Sequence, residues 1–244
     1  MNRNEDCAFV TTVSAGVAAV DLVADAMPRL VVEGEAVRIE EHQGAMRLVA
    51  RDRRDVVEVG VAASFATGAM AVSLDAVRTA VAELVEEVGS GPNADQLAFA
   101  TLGGEASVSV GGREKRVAPR ALSDVEGVAG TFPVIGVVAP GELLAVAERA
   151  LASGGRLELG VDIEDGAFAF SAHDVVARVD VTQPERLKGL DEAFCLGAGR
   201  VAAVVGHLGD APIEVRFGLV DDGAFVALVS GGVVVCLHAR RIEG

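Results

Sequence analysis

Apolar and polar positions alternate in two periods along this chain, and one succession of periods is run through twice. Residues 8–12 are predicted as a short strand. Residues 14–27 follow as a helix with Ser14 as N-cap, Val17, Val20, Ala24 and Met27 at helical spacing, Asp21 and Asp25 opposite, and Pro28 as the stop. Period-two alternation then predicts strands over 29–32, 36–40, 45–50 and 56–61, joined by glycine-containing turns. A strand at 68–72 leads into a second helix over 73–88, with Val77, Val81, Leu84 and Val88 as its apolar stripe and Gly89 ending it. Strands at 96–101, 106–110 and 114–118 close the first half.

The pattern restarts after residues 120–133, RALSDVEGVAGTFP, which hold too much Gly and Pro for a helix and too many small and acidic residues for a buried strand. A strand at 134–138 precedes a helix over 140–152, with Pro140 in its first turn and Leu143, Val146, Ala147, Ala150 and Leu151 as its apolar side. Strands follow at 156–163, 167–172 and 175–181, then a polar loop at 183–191. A strand at 193–196, a helix at 198–208 and strands at 213–218, 224–229 and 233–237 complete the half. The expected fold class is therefore α+β, with two repeated domains of antiparallel sheets and two helices each. They span 1–119 and 134–244, with 120–133 as the interdomain connector.

Antiparallel sheets leave edges whose unpaired N–H and C=O groups can meet a partner. The basic strand around Arg113, Lys115 and Val117 and the segment carrying Val175, Ala177 and Val179 are the candidate edges. Pairing one to the other between subunits would be head to tail, and such contacts close into a ring. Interior placement of both strands fits the sequence equally well.

A chain of 244 residues with 51% hydrophobic residues can bury a core in each half. It has no run of 18 apolar residues, and its first residues lack the apolar stretch of a signal peptide, so a cytoplasmic protein with no membrane contact is expected. Cys7, Cys195 and Cys236, an odd number without C-x-x-C spacing, suit reduced thiols. The formal charge of -15 opposes general affinity for phosphates, yet net charge does not say where arginines lie. An acidic, Ala/Val/Gly-rich chain with only Lys115 and Lys188 as lysines and no Tyr or Trp also suits a high-salt cytoplasm.

Catalytic constellations do not emerge, so neither an enzyme nor a cofactor is expected. His42, His173, His207 and His238 fall on different elements. Cys236 and His238 share a strand face, but two ligands do not make a metal site. The Glu164-Asp165 and Asp221-Asp222 pairs each precede a glycine and read as turns rather than acid/base pairs. Gly103-Gly104, Gly111-Gly112 and Gly231-Gly232 lie between strands, so none is a phosphate loop.

The ending Leu237-His238-Ala239-Arg240-Arg241-Ile242-Glu243 resembles the L-x-A-P-[RK]-I-E tail of sliding clamps of the proliferating cell nuclear antigen (PCNA) type, most of all archaeal ones, with Arg240 where proline is usual. Residues 68–77, GAMAVSLDAV, resemble the strand-to-helix passage of that family. Asn93-Ala94-Asp95 resembles its N-A-D-x-L turn, and the connector's Leu122-Ser123-Asp124-Val125-Glu126 its L-D-V-E loop. The resemblance implies a homotrimeric, pseudo-sixfold ring around duplex DNA, helices lining the hole and sheets forming the wall. It implies no chemistry: such a clamp tethers DNA polymerase, clamp loader, ligase and flap nuclease through short hydrophobic peptides, in replication and repair. By position the peptide pocket would hold Leu122, Val125, Val128, Ala239 and Ile242, and the DNA-facing cations would be Arg78, Arg149, Arg200 and His207.

Two departures stand out. Glu41-His42-Gln43-Gly44 is a shorter loop than the family's, and the helices carry few cations: the first has none, and Arg78 shares the second with Glu83, Glu86 and Glu87. Topology can retain DNA without tight binding. The other reading is a divergent clamp paralogue acting as a regulatory protein-interaction ring without tight DNA binding.

Overall fold

The computed structural model describes residues 8–10, 15–26, 36–42, 44–52, 55–90, 93–94, 96–121, 132–153, 158–164, 166–231 and 233–242. The expected strand at 29–32 and most of the connector lie outside them. Two compact units divide the chain, Met1–Gly127 and Val128–Gly244.

The first unit runs β1 (Ala8–Val10), α1 (Ala15–Ala26), β2 (Ala36–His42), β3 (Ala45–Asp52), β4 (Asp55–Ala62), β5 (Phe65–Thr67), β6 (Ala69–Ser73), α2 (Leu74–Val88), β7 (Leu97–Leu102), β8 (Glu105–Val110) and β9 (Arg113–Val117). Its strands pair antiparallel in the orders β5-β1-β7-β8-β9 and β6-β2-β3-β4. Arg120, just beyond β9, returns to the second row by donating its N–H to the Ala71 carbonyl at 2.7 Å.

The second unit repeats the programme as β10 (Val134–Val138), α3 (Pro140–Ala152), β11 (Glu158–Glu164), β12 (Ala167–Ala172), β13 (Val175–Arg178), β14 (Asp180–Val181), β15 (Glu192–Gly197), α4 (Ala198–Leu208), β16 (Ile213–Val220), β17 (Gly223–Ser230) and β18 (Val233–Arg241). The rows are β14-β10-β16-β17-β18 and β13-β12-β11-β15, the counterparts of those in the first unit. A short seam joins them, in which, among the described residues, Phe194↔Arg241 and Cys195↔Arg240 pair.

Local sequence explains these boundaries. Ser73 caps α2 by accepting from the Ala76 N–H, and Gly89, at φ 61, ends it while donating to the Val85 carbonyl. Pro140 opens α3 where a helix has no use for its missing N–H. Gly103 and Gly104, at φ 60 and 85, fill the two-residue turn between β7 and β8, and Gly111 and Gly112, at φ 57 and 83, fill the next; only left-handed backbone gives hairpin turns this twist. His173, at φ 53, bears the same strain without a glycine's freedom in the β12–β13 turn.

The cores follow the apolar stripes with instructive shifts. In the first unit Val77, Val81 and Leu84 are buried as expected, joined by Leu74 and Ala80, whereas Val88 is only half-buried. On α1 the buried residues are Ala19, Val20, Leu22 and Val23, with Val17 half-buried; the side chains of Ala24 and Met27 lie outside the description. On α3 Leu143, Val146, Ala147 and Ala150 are buried, but Leu151 is 38% exposed because its 100° step carries it past the stripe. Phe168, Phe170, Phe194 and Phe217 form an edge-to-face cluster, with ring centroids 5.4–5.8 Å apart, at the centre of the second unit.

The strand expected over 175–181 is two strands. Val179 still donates to Phe168 of β12 at 3.0 Å, but Thr182 donates to Ile135 of β10 at 2.9 Å, so the segment changes partner at Val179. Gly136 permits this, since a Cβ there would overlap the Asp180 main chain. Alternation of inward and outward side chains runs unbroken through the switch, which is why the pattern read as one strand. The loop at 183–191 contains a 3-10 turn, Pro184–Arg186, and a buried anchor, Leu187.

Candidate functional site

The expected DNA-facing cations lie on the helices, and carboxylates stand beside Arg78 and Arg149. Arg78 Nε lies 3.8 Å from Asp21 Oδ1, which brings α1 and α2 together by charge. Arg149 Nη2 lies 2.8 Å from Asp174 Oδ1, tying α3 to the β12–β13 turn. A hydrogen bond with its own backbone, then the Arg149 guanidinium, hold the Asp174 carboxyl below its ordinary value. Arg200 is half-buried at the start of α4 and His207 is exposed in its last turn. Asp75, Glu83, Glu86, Glu87, Glu142 and Glu148 are exposed on α2 and α3, so the described helix faces are acidic on balance.

The two candidate interface strands stand at the ends of their rows: β9 pairs with β8 alone and β13 with β12 alone among the described residues. Side chains divide by parity. Val117, Ala177 and Val179 are buried in their own unit, and Val175 and Lys115 are partly covered. Arg113, Glu114 and Arg116 on β9 and Val176 and Arg178 on β13 are the exposed ones. Lys115 turns to α2, 2.5 Å from Glu83 Oε2 and 2.9 Å from Glu87 Oε1, and these carboxylates raise its pKa above 10.5. Arg116 pairs with Glu105 at 3.0 Å.

Of the candidate peptide-pocket residues, Leu122, Val125 and Val128 lie outside the described residues. Ile242 is 42% exposed just beyond β18, with its N–H on the Ala193 carbonyl at 2.9 Å. Ala239 is wholly buried and shares its face with Val235 and Leu237, so its side chain is core and offers no pocket wall. The opposite face of β18 carries His238, whose Nε2 is 3.3 Å from Asp222 Oδ1 and whose ring lies 5.2 Å from that of Phe225. Phe132, from the end of the connector, stacks on Phe225 at 5.8 Å. Arg240 and Arg241 clasp Glu158 and Glu192, and Arg241 lies 6.0 Å over the Phe194 ring. This aromatic group was not legible in the sequence; its signal was the Phe at the end of a Gly-containing stretch, residues 127–132.

A second feature missed from sequence is a buried charge cluster on β2, β3 and β4. Arg47 Nε donates to Glu40 Oε1 at 2.8 Å and Arg47 Nη1 to Glu58 Oε1 at 3.1 Å, while Arg38 Nε donates to Glu40 Oε2 at 2.5 Å. Glu58, Glu40 and Arg47 are 2%, 6% and 8% exposed. Among the described residues no group of three or more His, Cys, Asp or Glu could hold a metal ion, and no helix is long and apolar enough to cross a membrane.

No family model matches the chain, and no curated protein sequence matches it. Solved structures do. The DNA polymerase III beta subunit of Thermotoga maritima superposes with a TM-score of 0.68 over 97% of this chain at 14% identity, and the DNA polymerase sliding clamp of Bacillus subtilis with 0.68 over 98% at 10%. This chain spans 65% and 66% of the lengths of those two proteins. PCNA from Thermococcus kodakaraensis superposes with 0.62 over 97% of this chain and 100% of its own, at 13% identity. These superpositions show that the chain has the fold of the DNA sliding clamps.

Proposed function

We propose that the protein is a DNA sliding clamp: a homotrimer that encircles duplex DNA without reading its sequence and acts by recruiting partners rather than by chemistry. The carrying observation is the repeat, among the described residues eleven α-helices and strands in one order in each unit, on a chain that is matched along 97% of its length by a PCNA that it covers completely. Three two-unit chains supply six units, and β9 and β13, each with one open side among the described residues, are the strands through which neighbours would join head to tail. Main-chain pairing would carry that contact, with Val176, Arg178, Arg113 and Arg116 meeting the neighbour beside the ladder.

On this reading Arg78, Arg149, Arg200 and His207 face the DNA. The carboxylates beside Arg78 and Arg149 keep attraction to phosphate weak, so retention is topological. Peptides of DNA polymerase, clamp loader, ligase and flap nuclease would dock beside Ile242 and the connector residues Leu122, Val125 and Val128, by burying an aromatic anchor and adding extended main chain. A cytoplasmic location follows from the same role.

Loading tests the reading. A cognate loader should place the protein on nicked circular duplex, where it is retained, and linearising the circle should release it. Retention on both forms, or on neither, refutes encirclement; a protein that stays monomeric at every salt and protein concentration refutes the ring.

A further inference from the structure

Phe132 lies two residues before the start of β10, and its ring rests on Gly218 of β16, where a Cβ would overlap it. The ring stacks nearly parallel on Phe225, at 23° and 5.8 Å, and Phe225 is backed by His238 at 5.2 Å. The β16–β17 register sets Gly218 directly beside Phe225, so bare backbone and one aromatic face together make a floor and a wall. Gly223 leaves room for the imidazole, since a Cβ there would come within 3.2 Å of His238 Nε2. Phe132 itself is only half-buried.

We propose that this hollow is a seat for a planar aromatic side chain, that Phe132 is its resident, and that the anchor of an incoming peptide must displace Phe132 to bind. The occupant is read from the resident: a flat ring on an extended main chain, neutral or basic in its flanks because the protein carries a formal charge of -15. Displacement is structurally cheap. The Pro133 carbonyl accepts from the Phe217 N–H at 3.3 Å and fixes the chain just after the ring, so rotation about the Phe132 side chain clears the seat without breaking the β10 ladder. The peptide half of this inference rests on the docking reading above; the seat itself does not.

The protein contains no Trp and no Tyr, so indole fluorescence can be read without background. Phe132→Trp places the only indole on Gly218. Its emission should be blue-shifted, and should move to the red when a capped peptide with one aliphatic and two phenylalanine anchors is added. Phe132→Ala should bind free indole, which the parent does not, and should bind the same peptide about tenfold more tightly, the gain expected when a resident occupying its seat about nine-tenths of the time is removed. Gly218→Ala should abolish indole binding in the Phe132→Ala background. Failure of folded Phe132→Ala to take up indole overturns the seat, and so does a solvent-exposed emission from Phe132→Trp. Equal or weaker peptide binding by Phe132→Ala overturns the competition, because the ring is then a bystander or a pocket wall. Indole uptake with no peptide binding by any variant keeps the seat and removes the peptide-docking reading instead.

Discussion

Arg47→Met should be among the most damaging single substitutions in the first unit. The guanidinium bridges Glu40 and Glu58, which are 6% and 2% exposed, so its removal leaves two carboxylates with too little water to solvate them. Breaking a buried ion pair from one side costs about 3–5 kcal/mol, since the partner charge is left uncompensated. With a urea dependence of about 2 kcal/mol/M, the unfolding midpoint of that unit should fall by roughly 1.5–2.5 M. Far-UV circular dichroism across a urea titration reads the shift. The triple variant Glu40→Leu, Arg47→Met, Glu58→Leu should recover to within about 1 kcal/mol of the parent or exceed it, since no charge then remains unpaired at the centre of the cluster. A fall of less than about 0.5 M for Arg47→Met would refute the reasoning, because it would mean that water reaches the carboxylates.

Other outcomes are as specific. Val176→Asp places a charge on the exposed side of β13 and should shift the solution mass towards the monomer while leaving the thermal midpoint of the isolated chain unchanged, as sedimentation and calorimetry would read. Asp174→Asn tests the clip from α3: the lowered carboxyl pKa contributes stability above the ordinary value of 3.8 and loses it as pH falls through the folded value, so parent and variant should converge in strong acid. Lys115→Met is the mirror case, because the raised pKa contributes stability below 10.5 that is lost as pH rises through the folded value; parent and variant should converge only in strong base. Ile242→Asp should abolish binding of a fluorescent partner peptide with oligomeric mass unchanged; intact affinity would remove Ile242 from the docking surface.

Much of the architecture was legible because both units obey simple periods. Val77, Val81 and Leu84 are spaced by four and three residues, which at 100° per residue keeps them on one face, and Ser73 and Gly89 mark the ends of α2 chemically, so helix and limits could be read together. The failures have physical causes. Alternation says which residues share a face but not whether that face is covered: Glu40, Arg47 and Glu58 alternate with core residues as a solvated face would, yet are buried against one another. Alternation also survives a change of hydrogen-bond partner, so the switch at Val179 was invisible. β5 is three residues long, too short for any period to show. For the sites, residue type predicted charge but not its neutralisation. Arg149 reads as a phosphate ligand until Asp174, 25 positions away, is found beside it.

The seam between β15 and β18 gives the second unit a mechanical weak point. Among the described residues, two register pairs, the Arg241–Glu192 clasp and the Arg241–Phe194 contact hold β18 to β15, while Arg240 reaches Glu158 of β11. Tension on Arg241 therefore meets those contacts first and then opens the β17–β18 ladder from the Gly223↔Arg240 pair onward, one pair at a time as a zip opens, instead of shearing eight pairs at once.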